Sequence, residues 1–209
     1  MNSESAHGYR PCIIIPGIGQ SRVIETDENG EKIRNLWPFD PDIDALVKSV
    51  APSAARMMPL RRDCGFTAAL DRAVRTMLEP LSCTPDSMRK VRAEVVGYYS
   101  PIGECTSGEI LQPQLRSILN VLADIIGEEN LYFFAYDIFG RADENARLLR
   151  EFIAMVKEQR QCEKVDLIPV SMGATVAEMY FELYGADQDV KRVIGVVPAY
   201  DGSDIAADL

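Results

Sequence analysis

Short apolar runs separated by stretches of helical spacing constrain this chain more than any other feature. Five runs read as strands: Cys12–Pro16, Glu94–Tyr99, Leu131–Ala135, Val165–Pro169 and Arg192–Val197. Three are near-continuous rather than alternating, as expected of parallel strands covered on both faces. Between them, Leu70, Ala73, Val74, Met77, Leu78 and Leu81 recur at helical spacing. Leu115, Ile118, Leu119, Leu122, Ile125 and Ile126 do the same. A third stripe, Leu148, Leu149, Phe152, Ile153 and Val156, follows Asp143 and Glu144, acids suited to a helix's first turn. A fourth, Val176, Ala177, Tyr180, Leu183 and Tyr184, runs up to Gly185, which reads as its C-cap. This alternation predicts an α/β fold with right-handed crossovers and a parallel, doubly wound sheet.

The stretch 19–59 fits the scheme poorly. It holds a turn at Asn29-Gly30, the lone Trp37 and several prolines, and reads as an excursion beside the sheet. Two readings stay open for it, a lid over a site or a plain long loop.

Composition removes several classes of function. A net charge of -10 argues against nucleic acid, because phosphate binding needs a basic surface. No apolar run reaches the ~20 residues of a membrane-spanning helix. The polar start, Met1 to Arg10, lacks the succession of a signal peptide, so the expected location is cytoplasmic. Cys12, Cys64, Cys83, Cys105 and Cys162 form no C-x-x-C pair, which gives no metal signal and suits reduced thiols.

Two segments are candidates for chemistry. Val165 to Ala174 is a strand running into a helix with Ser171 at the turn. A nucleophile elbow requires this order, because a tight, strained turn projects the serine hydroxyl from the carboxyl edge of the sheet. Gly173 satisfies the second glycine of G-x-S-x-G, whereas Pro169 stands at the first. The alternative is a serine that only caps the following helix. The second segment is Cys12 to Ser21, a strand ending in Pro16-Gly17-Ile18-Gly19-Gln20-Ser21. Arg22 stands where a dinucleotide fingerprint needs its third glycine, and no Gly-Lys-Ser/Thr ending marks a P-loop. What remains is an oxyanion loop or a tight turn without a ligand.

The order of these motifs resembles the lecithin:cholesterol acyltransferase family of α/β-hydrolases. Pro16-Gly17-Ile18-Gly19-Gln20-Ser21 follows the first strand, then come Asn35-Leu36-Trp37-Pro38, Ala135-Tyr136-Asp137 and Val170-Ser171-Met172-Gly173. The tail, Val190 to Ile194 and Pro198 to Ser203, looks like the family's next strand and loop, and Ser100-Pro101-Ile102-Gly103 echoes an internal segment. Val170 replaces the family's histidine before the serine, and Ile138-Phe139-Gly140 stand where Trp-Arg usually follows Tyr-Asp.

The resemblance implies an α/β-hydrolase-like domain truncated after the strand that follows the elbow. It also implies a lipid acyl hydrolase or O-acyltransferase acting on a lipid or small-molecule ester, with no metal or other cofactor. Ser171 would be the nucleophile, Ile18 and Met172 the oxyanion donors, and Tyr136 and Asp137 neighbours of the acyl pocket. The family's acid and histidine follow the serine, and no histidine follows Ser171 in this chain. The single His7 precedes the first strand, and a five-residue strand puts roughly 17 Å between its two ends. The expectation is therefore weak or absent activity, and self-association through an exposed sheet edge. The rival class is a non-catalytic remnant or interaction module of the same fold.

Overall fold

The computed structural model describes residues 8–84, 88–96 and 113–200, with side chains of the last segment from Arg116 onward. Four strands form a parallel sheet: β1 (Cys12–Ile15), β5 (Leu131–Phe133), β6 (Val165–Pro169) and β7 (Val190–Val193), in the order β5-β1-β6-β7. Cys12 stands opposite both Leu131 and Asp166, so β1 is the centre of the sheet.

Both faces of β1 are covered, which is why it reads as an isoleucine run. Ile13 and Ile15 face a cluster with Tyr132, Phe134 and Leu167, closed by α4 (Ala142–Arg160) and α5 (Gly173–Tyr184). Ile14 faces the other way, toward Leu131, Phe133, Ile168 and Leu119 of α3 (Pro113–Ile126). Each fully buried isoleucine contributes about 1.5–3 kcal/mol. Helices therefore pack on both sides of a parallel sheet, as the periodicity predicts.

Three expectations are corrected. The run Glu94–Tyr99 is not a strand of the parallel sheet. Its described part, β4 (Ala93–Val96), pairs antiparallel with β2 (Arg22–Thr26) in a separate sheet of order β3-β2-β4. The reason lies in burial, since none of its four side chains is fully buried, unlike those at the centre of β1. Residues 97–99 and the Ser100–Gly103 segment lie outside the described residues.

The last strand is displaced, to Val190–Val193. Val196 still bridges Val170, but Val197 takes φ +41°, a turn conformation that ends the extension. Among the described residues β7 is paired only with β6, and Val193, Ile194, Val196 and Val197 are 40–79% exposed.

Gly185 does stand at the C-cap of α5, but with φ -58°. A short 3-10 turn continues to Asp187, and Gln188 supplies the left-handed residue at φ +53°.

The stretch 19–59 is neither a plain loop nor featureless. β2 and β3 (Lys32–Trp37) form a hairpin whose turn is set by Asp27, its carboxylate accepting from the N–H groups of Asn29 (2.9 Å) and Glu31 (2.8 Å). Gly30, at φ +83°, completes it. Then α1 (Ile43–Leu60) runs through two internal prolines, capped by the Asp42 carboxylate at Ala45 N–H (2.9 Å). α2 (Phe66–Leu78) follows. Among the described residues no helix is long and apolar enough to cross a membrane.

Cys12 gives a chemical test of the packing at the start of β1. Burial, with the nearby Asp166 carboxylate adding to it, pushes its thiol up to about 11. At pH 8 only on the order of one thiol in a thousand is thiolate, the nucleophilic form. Iodoacetamide at pH 8 should therefore leave Cys12 unmodified in the folded protein, with modification rising toward pH 11. Peptide mass spectrometry reads this directly, and rapid modification at pH 8 would contradict the packing of β1.

Candidate active site

Within the parallel sheet, the next strand after β1 is β5 on one side, and the one after that, β6, lies on the other. The carboxyl ends of β1 and β6 thus flank the point where strand order reverses, the place where open α/β sheets bind ligands. Two loops meet there, Pro16–Ser21 after β1 and Val170–Met172 after β6.

Ser171 is held at φ +49°, a left-handed conformation that costs a non-glycine residue of order 1–3 kcal/mol. Three backbone hydrogen bonds keep it there. Its N–H donates to Val196 O (2.9 Å), and its carbonyl accepts from Ala174 N–H (3.0 Å) and Ala199 N–H (3.1 Å). The side chain is left out of this arrangement. α5 starts at Gly173 with Met172 as N-cap and no side-chain cap, so Ser171 does not cap the helix. Its hydroxyl has no hydrogen-bond partner among the described residues.

The two glycines beside it are explained by close approach. A Cβ on Gly173 would stand 2.3 Å from Ile15 O and 2.8 Å from Pro16 O. One on Gly17 would stand 3.0 Å from Ser171 Cβ and 3.2 Å from Val170 O, so the two loops touch at the serine.

The first loop is anchored from three directions. Gly17 N–H donates to Gln20 Oε1 (2.6 Å), Tyr136 Oη donates to Pro16 O (2.9 Å), and Tyr136 N–H donates to Ser21 Oγ (3.3 Å). The N–H groups of Ile18 and Met172 donate to no described residue. The Ile18 side chain is exposed.

Tyr136 is buried, and that burial holds its phenol well above the ordinary range, so it remains a protonated donor to Pro16. Asp137 binds Arg89 through both carboxylate oxygens, Oδ2 accepting from Nε (2.9 Å) and Oδ1 from Nη2 (2.5 Å). Its Oδ1 also accepts from Phe139 N–H (3.0 Å), and Asn145 Nδ2 donates to its backbone oxygen (2.9 Å). The Arg89 guanidinium lies 5.2 Å from the Phe139 ring centre, and Trp37 meets that ring edge-on at 5.6 Å. The resemblance in motif order implies that Tyr136 and Asp137 neighbour an acyl pocket. The contacts they make here fix the oxyanion-loop candidate and the turn after β5.

Gln20 and Arg89 were not among the sequence candidates. Gln20 accepts from Gly17 within its own loop, whereas Arg89 meets Asp137 from 48 residues away, a bond that leaves no local pattern. His7 and Asp201-Gly202-Ser203 lie outside the described residues. Among the described residues no cluster of histidine, cysteine, aspartate or glutamate is arranged to hold a metal. No protein-family model matches the chain and no curated protein is similar to it, so the arrangement at Ser171 itself carries the functional reading.

Proposed function

We propose that Ser171 is the nucleophile of an α/β-hydrolase-like site that acts on ester-linked acyl chains, as a lipid acyl hydrolase or O-acyltransferase. The observation that carries this reading is a serine held at positive φ on a strand-to-helix turn with its hydroxyl unpartnered. Strain of this kind persists only where the surrounding structure enforces it. The resemblance in motif order points to the same chemistry.

In this reading the Ser171 hydroxyl oxygen attacks the ester carbonyl carbon. The developing oxyanion accepts from the N–H groups of Met172 and Ile18, donors that are fixed before the substrate arrives. Collapse expels the alcohol and leaves the acyl group on Ser171, from which water or a second alcohol takes it. Each of these steps needs a base to receive the serine proton and an acid to return one. Within these 209 residues no histidine follows Ser171, so the chain supplies nucleophile and oxyanion donors without a triad base. Loss of a triad member removes several powers of ten in rate and leaves the oxyanion hole and binding. The rival reading is a non-catalytic module of the same fold.

Labelling by a serine-directed fluorophosphonate separates the two. The chain should label slowly, at one site, and added imidazole should speed the reaction by acting as the missing base. Ser171→Ala should abolish the label. Gly17→Ala should slow it at a stability cost of about 1 kcal/mol, the low end for overpacking, because the added methyl presses the loop away from Ser171 by only tenths of an ångström. Labelling that survives Ser171→Ala, or none even with imidazole, would leave the non-catalytic module as the better account.

A further inference from the structure

α1 and α2 pack against each other, and the chain turns from one to the other through Arg61 to Gly65. The end of α1 at this turn has no neighbour around it. Every residue from Met58 to Asp63 is exposed. Successive helix positions point about 100° apart, so an uninterrupted exposed run means that the helix end protrudes rather than lying on a surface. Met58 is 74% exposed and Leu60 53%. The tip nevertheless has a fixed shape. Arg61 takes φ +46° as a left-handed cap, and Cys64 Sγ donates to Arg56 O (3.7 Å).

The charge of the tip is opposite to that of the whole chain. Arg56, Arg61 and Arg62 are exposed, and none has an ion pair among the described residues. The one acid between Arg56 and Gly65 is Asp63, and it is engaged. Its Oδ1 accepts from Phe66 N–H (2.5 Å) and Thr67 N–H (3.1 Å), in the first turn of α2. The acids of α1, Asp42 and Asp44, stand at its other end. That is about 18 Å or more from the arginines, beyond two Debye lengths of about 8 Å at physiological salt. The net charge of -10 slows the approach of the chain to an anionic surface, but it does not cancel contacts made within a Debye length.

A protein partner of standard size covers about 800 Å² on each side, a broad face that a protruding helix end does not offer. A bilayer needs only a few side chains that enter its headgroup region and basic residues beside them. We propose that the tip between α1 and α2 docks on an anionic lipid bilayer, Met58 and Leu60 entering the headgroup–acyl boundary and Arg56, Arg61 and Arg62 meeting the lipid headgroups. Ile43 and Val47, each 53% exposed, sit beside Asp42 and Asp44 and stay outside. This surface goes beyond the reading of Ser171 and does not depend on it.

Co-sedimentation of the full chain with vesicles tests this, equal parts phosphatidylserine and phosphatidylcholine against phosphatidylcholine alone. The mixed vesicles should bind at least about tenfold more tightly, and high salt should remove that difference. Arg56→Gln, Arg61→Gln and Arg62→Gln together should weaken binding about a hundredfold, since each basic residue contributes about fivefold at such a surface. Met58→Ser with Leu60→Ser should weaken it at least about tenfold, whereas Val47→Ser should leave it unchanged. The positions changed are exposed, so the thermal transition should stay that of the parent. Ser171→Ala should bind vesicles as the parent does, which keeps this proposal separate from the reading of Ser171. Equal binding to both vesicle types, undiminished binding by the arginine variant, or a Val47→Ser loss as large as that of the serine pair would overturn it. So would binding to poly-glutamate as tight as to the vesicles and unmoved by the serine pair, which would make the tip a docking point for an acidic protein.

Discussion

Gly173→Ala should destabilise the protein by about 3 kcal/mol, the upper part of the range for overpacking a tight contact. The methyl would lie 2.3 Å from Ile15 O and 2.8 Å from Pro16 O, and both obstacles are backbone. A flexible side chain could swing away, but Ile15 is tied into the central strand, opposite Pro169 of β6. Either α5 shifts off the sheet or the end of β1 leaves its register. For a chain of this length the expected fall in Tm is about 6–12 °C. Gly185→Ala is the internal control. Gly185 has helical φ, and a Cβ there meets only the Phe181 side chain, at 3.8 and 3.9 Å. That variant should be neutral or gain a few tenths of a kcal/mol by restricting the unfolded chain. Scanning calorimetry of both variants is decisive. A Gly173→Ala protein as stable as its parent would mean that α5 does not start against the β1 carbonyls.

The second large effect should come from stripping the counter-charges off Asp166. Its side chain is 1% exposed within the sheet, and it accepts from Arg192 (Nη2 at 2.6 Å, Nε at 3.1 Å) and from Arg10 Nε at 3.4 Å. The arginines themselves are 60% and 37% exposed. The energetic weight therefore falls on the carboxylate, since a freed arginine simply returns to water. Removing both with Arg10→Ala and Arg192→Ala leaves a buried charge uncompensated, at a cost of about 3–5 kcal/mol. Adding Asp166→Asn should restore most of the loss, because a neutral amide needs no counter-ion. Urea midpoints for the single, double and triple variants give the coupling directly. A double variant within 1 kcal/mol of its parent would show that water reaches Asp166 by another route.

How much of this was legible in the sequence depends on whether the signal was local. β1, β6, α4 and α5 announce themselves, because each carries a burial pattern complete within its own length. α1 does not, since Pro52 and Pro59 argue for a loop, and the structure accommodates both within one helix. The strand at Ala93–Val96 is visible as a strand, but no pattern in it says that its neighbour is β2 rather than β1. At the site, Ser171, Gly17 and Gly173 could be found because a tight turn demands small residues at fixed offsets. The bonds from Arg89 and Tyr136 that anchor the surrounding loops could not. They join side chains to partners that sequence spacing does not specify.

The central place of β1 has a consequence for how the chain must be made. β1 leaves the ribosome long before its partners on either side, Leu131 opposite one edge of Cys12 and Asp166 opposite the other. At a synthesis rate of about 5–20 residues per second, roughly 150 residues of delay separate β1 from β6 by about 8–30 s. During that interval three consecutive isoleucines, Ile13, Ile14 and Ile15, have no sheet to enter. The hairpin of β2 and β3 needs no such wait and can close as soon as Trp37 emerges. Nascent chains arrested once β3 has emerged but before β5 has should therefore present a folded hairpin behind a chaperone-accessible β1, and chains arrested after β6 has emerged should not.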